Sequence, residues 1–237
     1  GTLLSTDGMI GKESIRLVKL LKEKGMKFSF ASGRLHSALT YYADELEIKT
    51  PLISLDGTLI KNHPDGKVIF ESFVPEKYII KSINLADKYL IKIALCQSDA
   101  IYYTESNSVI PNMMDKFGAK YEEVPSYDNY RTKTLEIVFA SDYKDSIKYV
   151  KKKLTFPYAF GLHTSYFKSQ SHPGIYYLEV RKTGINKGTG LKRLLKYLNL
   201  KEKETAVIGD WYNDRSLFET RALKIAMANA VPEIINK

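Results

Sequence analysis

The sequence predicts an α/β protein in which a parallel-sheet core is interrupted by an inserted α+β segment. Three observations carry that prediction. Apolar strand-like runs alternate with helical patterns through the first quarter of the chain, the rhythm breaks after Pro75, and it returns from Asn186. The division this implies is a discontinuous core made of residues 1–76 and 184–237, with 77–183 as a second domain set into it. A chain of 237 residues with 44% hydrophobic content is long and apolar enough for either one large domain or two modest ones.

Taken in order, Leu3 and Leu4 read as the end of a strand, and Ile15, Val18 and Leu21 recur at helical spacing before Gly25 stops the helix. The apolar run "KFSFA" follows as a strand, which makes a β-α-β unit. A second helix runs from His36 to Leu46, and Pro51 then leads into the short strand "LISL". "NHPDGK" at 62–67 is a turn that joins "TLI" and "KVIFESF" as a hairpin. In the inserted segment, 77–91 is helical, "IKIALCQ", "IYYTE" and "LEIVFA" are strands, 142–153 is helical, and "YAFGLH" and "IYYLEV" are further strands. The last part gives a helix over 188–199, the strand "TAVIG" at 205–209, a helix from 213 and the strand "KIAMA".

The net charge of +9 favours anionic partners, either nucleic acid or small phosphorylated molecules. Lys alternates with Leu at helical spacing in "LVKLLKEKG" and "LKRLLKYLNLKEKE", with Glu interleaved, so these runs read as solvated helix faces. The 17 Tyr are scattered rather than set in a basic repeat, which argues against a nucleic-acid partner. No run of about 18 uncharged apolar residues predicts a membrane span. The lone Cys96 has no partner for an internal disulfide, and no basic-then-apolar leader opens the chain, so the expected location is cytoplasmic.

Three short segments stand at the carboxyl ends of predicted core strands, where open α/β sheets hold ligands. In "FASGR", the Ser32 hydroxyl and the Gly33 amide at a helix start either bind phosphate oxygens or simply cap the helix. In "VIGDWYNDRSLFE", Asp210, Asn213 and Asp214 share one helical turn, which suits either Mg²⁺, a cation that takes hard oxygen ligands, or ordinary capping. In "INKGTG", Lys187 opens a basic helix and is either a surface residue or a cation set against an oxyanion.

The order and types of these segments together resemble a haloacid dehalogenase-like hydrolase of the Cof-type branch, phosphatases with a large α/β cap. That family pattern runs Asp-x-Asp-Gly-Thr, then Ser or Thr with Gly-Arg, then Lys-Gly, then Gly-Asp-x-x-Asn-Asp. The matching residues are "GT" at 1–2, "SGR" at 32–34, "KG" at 187–188 and "GDWYND" at 209–214, supported by "YLEV" ahead of the Lys and by "AMANA" at 226–230. The resemblance covers nearly the whole chain and implies a Rossmann-like core with an inserted cap that chooses the substrate. It also implies Mg²⁺-dependent hydrolysis of a small phosphomonoester, a sugar phosphate or related metabolite, through an aspartyl-phosphate.

In that reading Thr2, Ser32, Lys187 and Asp210 serve catalysis, and Ser32, Gly33, Arg34, Lys187 and Asn213 hold the phosphoryl group. Asp210 and Asp214 make the metal side, with Asp214 acting from behind Asp210. His163 and Glu179 are the cap residues expected to meet substrate. The expected assembly is a monomer or homodimer with no nucleic-acid or membrane partner. The alternatives of the same resemblance are a phosphomutase and a non-catalytic phosphometabolite binder.

The pattern places its two aspartates, nucleophile and general acid/base, ahead of Gly1, so the chain is expected to be part of a longer protein and inactive by itself. "LISLDGTLI" at 52–60 offers Asp56 as a rival nucleophile. Asp56 follows Ser32, which is the wrong order, and it matches the Asn-Gly-Ala or Asp-Gly-Ala turn after the third strand. The expectation is therefore a turn residue next to a left-handed Gly57.

Overall fold

The computed structural model describes residues 2–5, 7–104, 119–155, 161–169 and 173–236. The chain divides into two compact units, one made of residues 1–34, 39–70 and 186–237 and the other of residues 35–38 and 71–185. Among the described residues no helix is long and apolar enough to cross a membrane.

In the first unit, helix α1 (Lys12–Glu23) turns Ile15 and Val18 towards a cluster built on Ile10, Leu39, Ala43, Leu46, Ile48 and Leu52. Its end is fixed by Gly25, whose amide donates to the Lys22 carbonyl at 2.8 Å. The strand expected at Leu3 and Leu4 is replaced by a tight turn. Ser5 and Asp7 draw the chain back so that Leu4 bridges Ile10: the Ser5 hydroxyl donates to the Met9 carbonyl at 2.8 Å and the Asp7 carboxylate accepts from the Met9 amide at 3.2 Å. The "KFSFA" run is extended and lies alongside strand β1 (Leu52–Ser54), through the Ile53 amide to the Phe30 carbonyl at 2.8 Å and the Ser32 amide to the Ile53 carbonyl at 2.9 Å. The pairing there is a single parallel bridge, Ala31 with Ile53. Helix α2 (Ser37–Glu45) connects the two.

Strand β1 pairs antiparallel with β2 (Leu59–Lys61), and β3 (Val68–Glu71) completes that three-stranded sheet across the 62–67 turn. The return part of the unit carries a parallel pair, β10 (Ala206–Gly209) with β11 (Leu223–Ala226). Helix α5 (Lys187–Tyr197) brings Leu191, Leu194 and Leu195 into a cluster with Ile53, Ile60, Val207, Leu217 and Phe218. The helix expected from residue 213 begins as one 3₁₀ turn over Tyr212–Asp214, runs on only as α6 (Arg215–Phe218), and is followed near the end of the chain by α7 (Pro232–Ile235).

Among the described residues of the second unit, six strands lie in the order β6-β5-β4-β7-β9-β8: β4 (Lys92–Cys96), β5 (Ile101–Tyr103), β6 (Tyr121–Glu123), β7 (Glu136–Ser141), β8 (Leu162–Lys168) and β9 (Tyr176–Lys182). All pairings are antiparallel except β5 with β6. Strand β6 is an addition to the expected set; its three residues are all exposed, so it has no alternation to read. Of the strand expected at 158–163, residues 158–160 lie outside the described residues, as does Glu105 of "IYYTE".

Helices α3 (Glu76–Tyr89) and α4 (Lys144–Thr155) cover one sheet face. Ile79, Ala86, Ile147, Val150 and Leu154 pack on Ile93, Leu95, Ile137, Phe139, Leu178 and Val180. The pleat sends the alternate residues to the opposite face. There Cys96, Glu136, Arg181 and His163 follow one another across neighbouring strands in register.

Candidate active site

The three sequence-flagged segments meet within the first unit. Ser32 ends the extended run, and its hydroxyl accepts from the Arg34 amide at 3.1 Å, which folds residues 32–34 into a compact turn. Arg34 carries its guanidinium 5.9 Å from the centre of the Tyr42 ring. Gly33 stands beside Asp56: a Cβ there would lie 3.3 Å from Asp56 Oδ1.

Lys187 is the first residue of α5. Asn186 caps that helix, its side chain accepting from the Thr189 amide at 2.8 Å while the Thr189 hydroxyl accepts from the Asn186 amide at 3.1 Å. The cap fixes the direction in which Lys187 leaves the helix. Its side chain is only 7% exposed, and the ammonium donates to Asp214 Oδ1 at 2.7 Å and lies 4.0 Å from Asp56 Oδ1. The second Asp214 oxygen accepts from the amides of Asp210 at 2.9 Å and Trp211 at 3.1 Å. Asp214 thus ties the tip of β10 to Lys187 with both oxygens engaged by protein donors.

Asp210 stands at that tip. One oxygen accepts a short hydrogen bond from the Thr2 hydroxyl, and the other lies 3.4 Å from Asn229 Nδ2. Asn213 turns its amide to Asp56 Oδ1 at 3.0 Å.

Each expected site residue of the core therefore falls in one neighbourhood, except that Arg34 is turned to Tyr42. Two residues join them to which the sequence reading gives no site role. Asn229 comes from "AMANA", quoted above only as a supporting match. Asp56 was expected to form a turn, with Gly57 in the left-handed region. The structure puts three successive residues there, Leu55 at φ 46°, Asp56 at φ 51° and Gly57 at φ 97°. Left-handed backbone costs a non-glycine residue on the order of 1 kcal/mol or more. At Gly57 a side chain is excluded outright, since a Cβ would come within 2.4 Å of the Asn186 carbonyl oxygen. His163 and Glu179, expected to meet substrate, belong to the second unit. His163 Nε2 lies 3.4 Å from Ser165 Oγ, and Glu179 is ion-paired with Arg181.

This arrangement brings an ammonium, a side-chain amide and the Ser32–Arg34 turn near a carboxylate at a strand tip, group types that suit a phosphoryl group beside a hard cation. The whole chain, residues 1–237, matches the sequence profile of the haloacid dehalogenase-like hydrolases. The chain belongs to that family. It is similar to the 5-amino-6-(5-phospho-D-ribitylamino)uracil phosphatase YitU of Bacillus subtilis, 22% identical over 246 residues that cover 100% of this chain and 88% of the relative.

Among solved structures it is similar to a haloacid dehalogenase-like hydrolase from Bacteroides thetaiotaomicron, with a TM-score of 0.86 at 21% identity over 100% of this chain and 88% of the other. It is also similar to BT4131, described as a subclass IIB sugar phosphatase, with a TM-score of 0.78 at 19% identity over 100% and 87%. The α/β fold read from the sequence is that of these hydrolases, and the chain is a phosphatase of the family.

Proposed function

We propose that this phosphatase hydrolyses a small phosphomonoester, a sugar phosphate or related phosphometabolite, with Mg²⁺. In this proposal Ser32, Gly33, Lys187 and Asn213 form the phosphate cradle, and Arg34, whose guanidinium is turned to Tyr42, closes the turn through its amide. The observation that carries the proposal is the convergence of Lys187 Nζ and Asn213 Nδ2 on one carboxylate, 4.0 Å and 3.0 Å from Asp56 Oδ1, beside the Ser32–Arg34 turn. A buried ammonium and an amide in a fixed arrangement stabilise phosphoryl oxygens without reorganising when charge moves. The names of the similar proteins, a phosphatase of a ribityl phosphate ester and a sugar phosphatase, support a polyhydroxylated leaving group.

The residues present fit Mg²⁺ in part. Asp210 offers hard carboxylate oxygens oriented by Thr2 and Asn229, whereas both Asp214 oxygens are engaged by Lys187 and backbone amides. Asp210 is therefore assigned as the direct ligand and Asp214 as the group that holds Asp210 and Lys187 in place. Mg²⁺ commonly takes one or two protein carboxylates and completes its shell with water and substrate oxygens. When bound, the cation supplies charge neutralisation for the phosphoryl oxygens. Thr2 fixes the Asp210 carboxylate, and Lys187 and Asn213 orient the ester. The segment 77–183 is assigned as the cap that selects the leaving group, with His163 and Glu179 on it.

The test is release of inorganic phosphate from a panel of phosphomonoesters by the full-length protein, with Mg²⁺ and with chelator. Hydrolysis that needs Mg²⁺, and that Asp210→Asn weakens together with Mg²⁺ affinity, is the expected result. Wild-type turnover of Asp210→Asn at low Mg²⁺ contradicts the metal assignment, and an isomerised ester in place of free phosphate makes the enzyme a phosphomutase.

A further inference from the structure

Residues 55–57 touch every segment of the proposed phosphate site. The Asp56 amide donates to the Ser32 carbonyl at 2.9 Å and the Leu55 amide to the Arg34 carbonyl at 3.0 Å, so the turn is stitched to the Ser-Gly-Arg segment. Gly57 packs on the Asn186 carbonyl, immediately ahead of Lys187. The Asp56 side chain, 12% exposed, then reaches Asn213 at 3.0 Å and stands 4.0 Å from the Lys187 ammonium. Three consecutive positive φ values, two of them at residues with a Cβ, are an unfavourable backbone that persists only where the surroundings over-determine it. A plain reversal between β1 and β2 does not require it, since a two-residue Asn-Gly or Asp-Gly turn joins antiparallel strands without a left-handed Leu.

We propose that Asp56 is a positioning residue of the phosphate site. Its carboxylate sets the Asn213 amide and the Lys187 ammonium in one arrangement, and the left-handed turn of residues 55–57 serves to deliver that carboxylate. Asp214 holds Lys187 from the β10 side and Asp56 holds it from the β1 side, so the long, flexible lysine stem is fixed between two elements rather than one. Asn213 has both a donor and an acceptor on its amide. Giving its N–H to Asp56 leaves the second N–H and the carbonyl oxygen oriented for ligand. Pre-ordering of this kind raises affinity by removing side-chain entropy that binding would otherwise cost.

This inference rests on the phosphate-site reading above, and the test separates the two. Inorganic phosphate in Mg²⁺ buffer is titrated calorimetrically into the full chain as wild type, Asp56→Gly and Asp56→Asn, and the side-chain amide resonances of Asn213 are followed by NMR. Glycine takes the left-handed backbone without strain and lacks the carboxylate, so a folding defect is not expected to mask its effect. Asparagine also tolerates that backbone and keeps an acceptor oxygen.

The expected result is phosphate binding weakened about tenfold in Asp56→Gly, the loss of one charge-assisted hydrogen bond, with most of the affinity restored in Asp56→Asn, within about threefold of wild type. The Asn213 amide signals shift in Asp56→Gly before phosphate is added. If Asp56→Gly binds phosphate as tightly as wild type or more tightly, or leaves the Asn213 signals in place, Asp56 positions nothing. If wild type itself binds no phosphate, the reading of the site falls, and Asp56 with it.

Discussion

Arg181 and Lys187 are both buried cations flanked by two carboxylates, six residues apart in sequence, and they are held in opposite ways. Arg181 sits on β9, with Glu136 facing it across the sheet in register and Glu179 two residues earlier on the same strand; the guanidinium makes short contacts with both. Lys187 starts a helix, and its carboxylates come from a 3₁₀ turn and a left-handed turn. In the first case the pleat and the strand register fix all three side chains with no special backbone. In the second, nothing regular brings the groups together, and the chain uses a helix cap, an acceptor at Asp214 for two amides, and three residues of positive φ. The regular arrangement is a tie across a sheet. The irregular one gathers donors at the ends of strands, where open α/β sheets hold their ligands.

The sharpest way to break that comparison is to remove each cation in turn. Lys187→Met is expected to lower phosphomonoester turnover by roughly a thousandfold, on the scale of losing a preorganised oxyanion donor. Lys187→Arg is not expected to restore it, because a planar fork does not replace a point charge in this space. Steady-state kinetics on the full-length protein decides; turnover within about tenfold of wild type makes Lys187 another structural tie.

Arg181→Met leaves Glu136 buried without its partner and is expected to cost about 3 kcal/mol of stability, read from urea unfolding. The double change Arg181→Met with Glu136→Leu is expected to recover most of that loss, because an apolar pair replaces a buried ion pair at little cost. A double variant as unstable as the single one would mean that the row does more than tie strands together.

Gly57→Ala tests the irregular side through its backbone. The Cβ would sit 2.4 Å from the Asn186 carbonyl at a φ of 97°, so destabilisation of more than about 1 kcal/mol is expected, together with weaker phosphate binding. Loss of stability with unchanged phosphate affinity would separate the turn from the site.

The smallest expected effect is at alkaline pH and concerns the second unit. Burial pushes the Cys96 thiol well above its ordinary value, with Glu136 and Glu179 adding to the shift and Arg181 opposing it. Burial also raises the hydroxyls of Tyr102 and Tyr127. Each group holds its proton more tightly folded than unfolded. Its contribution is therefore complete below the ordinary values, about 8.5 for Cys and about 10 for Tyr, and is lost as pH rises through the raised ones. Unfolding free energy is expected to fall by an amount of order 1 kcal/mol between about pH 8 and about pH 11. Circular dichroism melts across that range check it, and a flat profile removes the claim.

The two arrangements were unequally legible in the sequence. "YYLEVRK" shows its strand by alternation, and Glu179 and Arg181 fall on one face by parity alone, although their partner Glu136 lies 45 residues away and needs the register. The helices α1, α3, α4 and α5 were readable from their apolar spacing within a few residues. The loop cluster was not readable from periodicity at all, because Asp56 and Asn213 are 157 residues apart in elements without a repeat. Only the ordered resemblance brought Ser32, Lys187 and Asp210 together. That same resemblance placed Asp56 in a turn, which is where it lies, and stopped short of its side chain, since a turn motif names a backbone shape and not what the carboxylate meets. Leu3 and Leu4 were misread because two apolar residues match a strand as easily as the bridge that Ser5 and Asp7 enforce.

The most direct test of the central claim, that the irregular cluster rather than the charged row of the sheet is the phosphate site, is an anomalous diffraction experiment. Crystals of the protein are soaked with tungstate, a heavy analogue of phosphate, in Mg²⁺ buffer. The account predicts an anomalous peak within hydrogen-bonding distance of Lys187 Nζ, Asn213 Nδ2 and the Ser32 hydroxyl, and none at Arg181. A peak beside Arg181 and His163, with the Lys187 cluster empty, would contradict it.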